Sequence, residues 1–123
     1  MSNPAESYES YMVPALFAPW ASQLLKIANP QPGERVLDLA CGTGVVARLA
    51  APLVGSNGAV TAIDLSPTML SVGRAAAEGE GLDIEWRQGG AVQLPCADCS
   101  FDLVLCQFAL MFFTDRRQAL REM

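Results

Sequence analysis

The sequence predicts an α/β fold, a doubly wound parallel sheet of strand order 3-2-1-4 with helices packed against it. Three observations point there. Residues 35–47, RVLDLACGTGVVA, change from a short branched apolar run to helical spacing, with Val45, Val46, Leu49 and Leu53 on one face. Further short apolar runs at 59–63, 82–87 and 101–106 are separated by helix-length segments. Alternating strands and helices make right-handed crossovers and a parallel sheet, and a switch of direction beside the first strand sets the order.

The elements follow along the chain. Residues 1–33 read as an N-terminal helical segment and 34–123 as the βαβ core of a single domain. Residues 1–6 are expected to be loose and 7–12 to make a short helical turn carrying Tyr8 and Tyr11. A helix should start at Pro14, with Leu16, Trp20, Leu24 and Ile27 forming one apolar stripe buried against the sheet. Asn29-Pro30-Gln31-Pro32-Gly33 breaks that helix. The first strand covers 36–40, and the helix after it runs over 44–53 until Gly55-Ser56-Asn57-Gly58 ends it.

A second strand at 59–63 closes with Asp64. Ser66 before Pro67 is an N-cap with proline at the first helical position, which starts a helix reaching Glu78 before Gly79 and Gly81 stop it. In 82–87, Leu82, Ile84 and Trp86 alternate with Asp83, Glu85 and Arg87, the pattern of a strand with a wetter face near a sheet edge. Gly89-Gly90 opens a loop to Pro95, residues 101–106 form a fourth, buried strand, and Asp115 caps a last helix over 116–123.

Composition narrows the function classes. A hydrophobic fraction of 51% over 123 residues, with mean hydropathy +0.26, describes a folded chain with well-buried strands. A net charge of −5, a pI near 4.5 and no basic run argue against nucleic acid or an anionic membrane surface as partner. Residues 1–14 are polar and acidic, without the basic and apolar regions of a signal peptide. The longest apolar run, 103–113, contains Gln107 and falls short of the roughly 20 residues of a membrane helix. A cytoplasmic location is therefore expected, with Cys41, Cys96, Cys99 and Cys106 as reduced thiols. Cys96 and Cys99 form a C-x-x-C pair, but with no histidine and no second pair of ligands no metal is expected.

The chemistry centres on Gly42-Thr43-Gly44-Val45-Val46-Ala47, which fits G-x-G-x-x-G/A at a strand-to-helix turn. Ligands of such sheets bind outside the carboxyl ends of the strands, here near Asp38–Gly44, Asp64-Leu65, Gly89–Val92 and Cys106–Phe108. A dinucleotide fits the glycine spacing, and Asp64 follows Gly44 by 20 residues, as a ribose-binding carboxylate should. Asp38 speaks against it. A carboxylate inside the first strand, beside the place of a pyrophosphate, repels an anion and favours a cationic ligand. S-adenosylmethionine meets that demand with an ammonium, a sulfonium, a ribose diol for Asp64 and an adenine for an apolar slot. The other reading of Asp38 is a strand-end carboxylate that caps loop amides.

Val36-Leu37-Asp38-Leu39-Ala40-Cys41-Gly42-Thr43-Gly44, the run Ala62-Ile63-Asp64-Leu65-Ser66-Pro67-Thr68-Met69-Leu70, and Leu94-Pro95 with Ser100-Phe101-Asp102-Leu103-Val104 resemble the class I S-adenosylmethionine-dependent methyltransferases. The likeness is greatest to the branch that includes the ubiquinone/menaquinone biosynthesis methyltransferases, and extends to Tyr11-Met12-Val13-Pro14 and 107–115. It implies a Rossmann-like sheet with S-adenosylmethionine as cofactor. Asp38 and the backbone around Ala40, Gly42 and Gly44 would hold the methionine end. Asp64 would take the ribose hydroxyls, Leu65 and Met69 would pack on the adenine, and Ala91 and Val92 would line its edge. Cys106 would floor the site beside the methyl donor, and Tyr11 would close over the amino-acid part.

The chain departs from the resemblance in three places. Gly90 stands where the family usually has an acidic residue for the adenine amino group, a loss of about 1.5–3 kcal/mol unless Gln88 or Gln93 replaces it. Ala40 stands for a common glycine and is tolerated if its φ is negative. Family members continue past a stretch like Arg121-Glu122-Met123 with strands that supply most of the acceptor pocket, so the chain is expected to be a truncated form with an apolar fourth strand at the edge. Self-association through that edge is expected, which light scattering at high concentration tests. The acceptor would be a small molecule, and no general base can be named. The alternatives are a catalytically silent fragment or association module that binds no cofactor, and, disfavoured by Asp38, an NAD(P)-dependent oxidoreductase domain.

Overall fold

The computed structural model of the chain describes residues 4–7, 9–10, 18–90 and 100–107. In chain order its elements are α1 (Pro4–Ser7), α2 (Ala18–Ala28), β1 (Arg35–Leu39), α3 (Val45–Val54), β2 (Ala59–Asp64), α4 (Pro67–Gly79), β3 (Glu85–Gln88) and β4 (Leu103–Leu105). The strands form one parallel sheet in the order β3-β2-β1-β4, the order expected from the alternation of strands and helices. Arg35 pairs with Ala59 and Asp38 with Ala62, while Val36 faces Leu103 and Thr61 faces Glu85 across the neighbouring ladders.

Strand alternation splits the core. Val36, Val60 and Ala62 point to the helices and pack with Ala21, Leu25, Val46, Ala47, Ala50 and Val54. Leu37, Leu39 and Ile63 point to the other face, where Phe101, Val104 and Cys106 join them. Each fully buried Val, Leu or Ile contributes about 1.5–3 kcal/mol. Asp38 shares the helix-side face with Val36, so the pleat itself aims a carboxylate at α3.

Boundaries moved little, and most shifts have a local cause. β1 ends at Leu39 because Ala40 turns into the left-handed region at φ 54, so the negative φ at which alanine is tolerated there is not met. The Ser66 hydroxyl caps α4 by accepting from Met69 N at 3.2 Å, with Pro67 at the first helical position, as expected. β3 forms only over Glu85–Gln88, and it is the half-buried outer strand that its alternation foretold. β4 is likewise shorter than 101–106, half-buried rather than buried at Leu103 and Val104.

Two expectations fail at the N-terminal side. Of the stripe of Trp20, Leu24 and Ile27 only Leu24 packs against the core: Ala21 and Leu25 are buried, with Ala18, Leu24 and Ala28 beside them, while Trp20 and Ile27 are exposed, Ile27 by 82%. Small alanines let α2 approach α3 closely, and that contact outweighs the bulk of the larger residues. Residues 4–7 are not loose but helical, with Ala5 buried against α4. Glu9 and Ser10 lie in a wide helical turn. The expectations for Leu16, Pro14, Tyr8, Cys96, Cys99 and 108–123 lie outside the described residues, and no helix among those described is long and apolar enough to cross a membrane.

Candidate functional site at the carboxyl ends of the strands

The turn between β1 and α3 is built from three left-handed residues, Ala40 (φ 54), Gly42 (φ 60) and Gly44 (φ 78). Such a backbone turns its amides inward, and carboxylates of the chain take them. Gly42 N donates to Asp64 Oδ2 at 2.8 Å, and Ser66 N donates to Asp64 Oδ1 at 2.9 Å. Ala47 N, in the first turn of α3, donates to Asp38 Oδ2 at 3.0 Å. A helix N-terminus and a turn of this kind are where an external phosphate would otherwise bind. Here one amide at each place, Gly42 N in the turn and Ala47 N in the helix, is taken by a carboxylate of the chain.

Asp38 is 2% exposed, and among the described residues no cation pairs with it or with Asp64. Burial pushes its carboxyl up to about 7, against the Ala47 hydrogen bond that lowers it, and the charge of Asp64 pushes it further. Asp38 therefore lies closed under the turn as a cap for the Ala47 amide in the first turn of α3, and any effect it has on a ligand passes through that turn as a field. The Cys41 thiol is buried and pushed far up by desolvation, then by the charges of Asp38 and Asp64. Cys106 is half-buried at the end of β4 and raised to about 11, by desolvation first and by Asp38 second. Neither is a nucleophile at neutral pH.

Beside Asp64 the surface changes character. Leu65 is 70% exposed at the end of β2, and its Cδ2 would lie 3.5 Å from a Cβ placed on Gly90. Gln88 donates its side-chain nitrogen to Leu65 O at 3.2 Å, which leaves its amide oxygen as an acceptor near that leucine. Asp38, Ala40, Gly42, Gly44, Asp64, Leu65, Gly90 and Cys106 thus come to the carboxyl ends of the strands, and Met69 joins them through the cap of α4. Tyr11, Ala91, Val92 and Gln93 lie outside the described residues.

Trp86, Gly73, Thr43, Glu9 and Arg48 matter here beyond the residues singled out from the sequence. A Cβ on Gly44 would lie 2.4 Å from Trp86 Cη2, and one on Gly73 would lie 2.5 Å from Thr43 O and 2.8 Å from the same indole. Trp86 of β3 therefore wedges between the turn and α4, and the second glycine of the motif makes room for protein. Thr43 is fully buried, its hydroxyl bonded to Glu9 Oε2. One sign was visible beforehand: Arg48 sits among the apolar residues of α3, and a charge in that setting needs a partner.

The family profile described as "Methyltransferase domain" matches residues 36–123. The chain belongs to that methyltransferase domain family. Within it, the ubiquinone/menaquinone biosynthesis C-methyltransferase UbiE of Xanthomonas oryzae is 45% identical over 106 residues, covering 85% of this chain and 42% of the relative. Its counterpart in Legionella pneumophila is 40% identical over the same span. This methyltransferase-family chain thus spans 42% of the length of the relatives it matches. Among solved structures, YcgJ from Bacillus subtilis superposes with TM-score 0.76 at 31% identity, over 83% of this chain and 43% of the other. An arsenic(III) S-adenosylmethionine methyltransferase from Chlamydomonas reinhardtii gives TM-score 0.69 at 34% identity, over 74% and 34%. A methanogen protein from Methanococcus maripaludis, at 22% identity and TM-score 0.81, shares the fold over 99% of this chain and 60% of its own.

Proposed function

We propose that the chain binds S-adenosylmethionine over the turn between β1 and α3, and forms the cofactor-binding part of an enzyme that moves the sulfonium methyl to a small-molecule acceptor. One observation carries it: at the turn and helix start where a pyrophosphate would sit, Gly42 N already holds Asp64 and Ala47 N holds Asp38. A second anion would meet two carboxylates with no cation among the described residues to offset them, whereas a cationic ligand gains from both. The relatives named as methyltransferases support the same choice.

The residues present fit the group. Each oxygen of Asp64 accepts one backbone bond and keeps a lone pair for a ribose hydroxyl. Exposed Leu65 and half-buried Met69 offer an apolar face for the adenine, with Ala91 and Val92 at its edge, and Gln88 stands in for the carboxylate that Gly90 lacks. The backbone around Ala40, Gly42 and Gly44 holds the methionine end under the field of Asp38, with Tyr11 closing over it and Cys106 below. The bound cofactor supplies an already activated methyl. What the chain supplies is orientation and exclusion of water, so it needs no nucleophile of its own and the unreactive Cys41 and Cys106 are in keeping.

A reducing, cytoplasmic setting goes with free thiols at Cys41 and Cys106, and pairing of two copies through the outer edge of β4 goes with an apolar strand there. Calorimetric titration of the 123-residue chain with S-adenosylhomocysteine, with NADH as control, tests the central proposal. Saturable binding of the homocysteine compound alone is expected, and Asp64→Ala should weaken it by about 2 kcal/mol, roughly thirtyfold, the worth of one charge-assisted hydrogen bond. Binding of NADH alone, or of neither compound by a folded sample, would overturn it.

A further inference from the structure

The glycine turn has a hold on it from outside the sheet. Thr43, between Gly42 and Gly44, is fully buried and donates its hydroxyl to Glu9 Oε2 at 2.5 Å. Arg48, one helical turn into α3, donates Nη2 to both oxygens of Glu9, at 2.6 and 2.8 Å, and Nη1 to Glu80 Oε1 at 3.2 Å. Its side chain is only 9% exposed, and its buried Nε has no acceptor among the described residues. Glu80, at the end of α4, is the exposed outer partner. Among the described residues Glu9 is thus the side chain that ties Thr43 of the turn to Arg48 of the helix, and it comes from a segment whose α1 packs on α4.

We propose that Glu9 is a positioning residue for the glycine turn, clamping Thr43 and Arg48 so that residues 41–47 keep the shape the ligand meets. Glycines at positive φ have no side chain to lock them and cross to other conformations at little cost. Thr43 is the only side-chain handle between them, and its hydroxyl has a charged acceptor at the far end. Removing Glu9 leaves a buried guanidinium without its two-oxygen partner and a buried hydroxyl without its acceptor, both of which favour rearrangement of the turn. The clamp deepens the cofactor site proposed above and rests on that site only for its ligand arm.

Hydrogen exchange on the whole chain reads the clamp without any ligand. In Glu9→Ala, amides of 41–47 should exchange at least tenfold faster while those of β2 stay within twofold. Thr43→Val should do the same, and Thr43→Ser should restore protection because it returns the hydroxyl. Equal protection in Glu9→Ala and the parent, or a uniform rise that includes β2, would overturn the clamp. If Glu9→Ala fails to fold, the pair Thr43→Val and Thr43→Ser decides by the same criterion. In the ligand arm, Glu9→Ala and Thr43→Val should each weaken S-adenosylhomocysteine at least fivefold, and the double variant no further than either alone. A parent that binds the compound while both variants bind it equally well overturns the clamp and keeps the cofactor site. A parent that does not bind it, with the exchange pattern as expected, keeps the clamp and overturns the cofactor site.

Discussion

At the amino ends of β1 and β4, Asp102 stands in solvent with Arg35 across from it: the carboxylate accepts Arg35 N at 2.8 Å and the guanidinium at 3.3 Å, and Asp102 N donates back to Arg35 O at 2.8 Å. The guanidinium and the backbone bond hold the Asp102 carboxyl below its usual range. At the carboxyl ends of β1 and β2 the same residue type is treated the other way. Asp38 and Asp64 hold backbone amides, no cation meets them among the described residues, and burial drives Asp38 up to about 7. One end of the sheet pairs its carboxylate with a cation and the other leaves its carboxylates without one among the described residues, beside a left-handed alanine. Retained charge and retained backbone strain at the same place mark where a ligand's free energy would be recovered.

The largest effect that separates the ends is steric. Gly44→Ala puts a Cβ 2.4 Å from Trp86 at φ 78, so left-handed strain and overpacking together should cost about 3 kcal/mol in urea unfolding. Gly33→Ala, before β1 at φ 86 with nothing within 4 Å, should cost only the strain, about 1 kcal/mol. Equal losses would mean that the Trp86 wedge is not what the motif glycine serves.

Titration separates them next. Because Asp38 is raised when folded, its contribution to stability is fully present below the ordinary value of 3.8 and is lost as pH rises through about 7. Unfolding free energy of the parent should therefore fall, relative to Asp38→Asn, by up to about 1.4 kcal/mol per pH unit between pH 4 and 7. Parallel pH profiles for the two proteins would deny the buried charge. A cationic ligand favours the ionised carboxylate, so affinity for it should rise through the same window. Asp102 has the opposite sign, contributing above the ordinary carboxylate range and losing it as pH falls.

Relief of strain comes third. Ala40→Gly removes a Cβ from φ 54 and should stabilise the chain by about 1 kcal/mol, raising the urea midpoint at unchanged slope. A loss of stability would place the strain elsewhere. The smallest effect is expected for Asp102→Ala, an exposed and screened pair, whose small loss should vanish in 1 M salt.

The site was legible where one short stretch carries its own geometry. Gly42, Gly44 and Asp64 stand at the spacing of a strand, a turn and a second strand end, and the structure brings them together because parallel strands place their carboxyl ends side by side. The orientation of Asp38 followed from strand alternation, but its partner did not, since Ala47 N faces it only once α3 has packed on β1. The buried face of α2 was misjudged because periodicity fits two stripes a residue apart, and the larger side chains of Trp20 and Ile27 outweighed Ala21 and Ala28 on paper. Ala40 was read by residue type alone, and its φ is set by closure of the turn.

Legible in the residues alone is what is local or periodic: the α/β class, the parallel order, the Ser66-Pro67 helix start, the glycine turn and the excess of carboxylates at the strand ends. Each rests on interactions within a few residues or on one repeat, which a linear string preserves. Which group fills the space between elements is settled by packing in the closed fold. Trp86 between Gly44 and Gly73, Asp64 on Gly42 N, and Glu9 across 34 residues on Thr43 all depend on packing distances that no spacing encodes. Their physical reason is the same: a buried polar group or a void takes whichever partner the closed fold brings within reach.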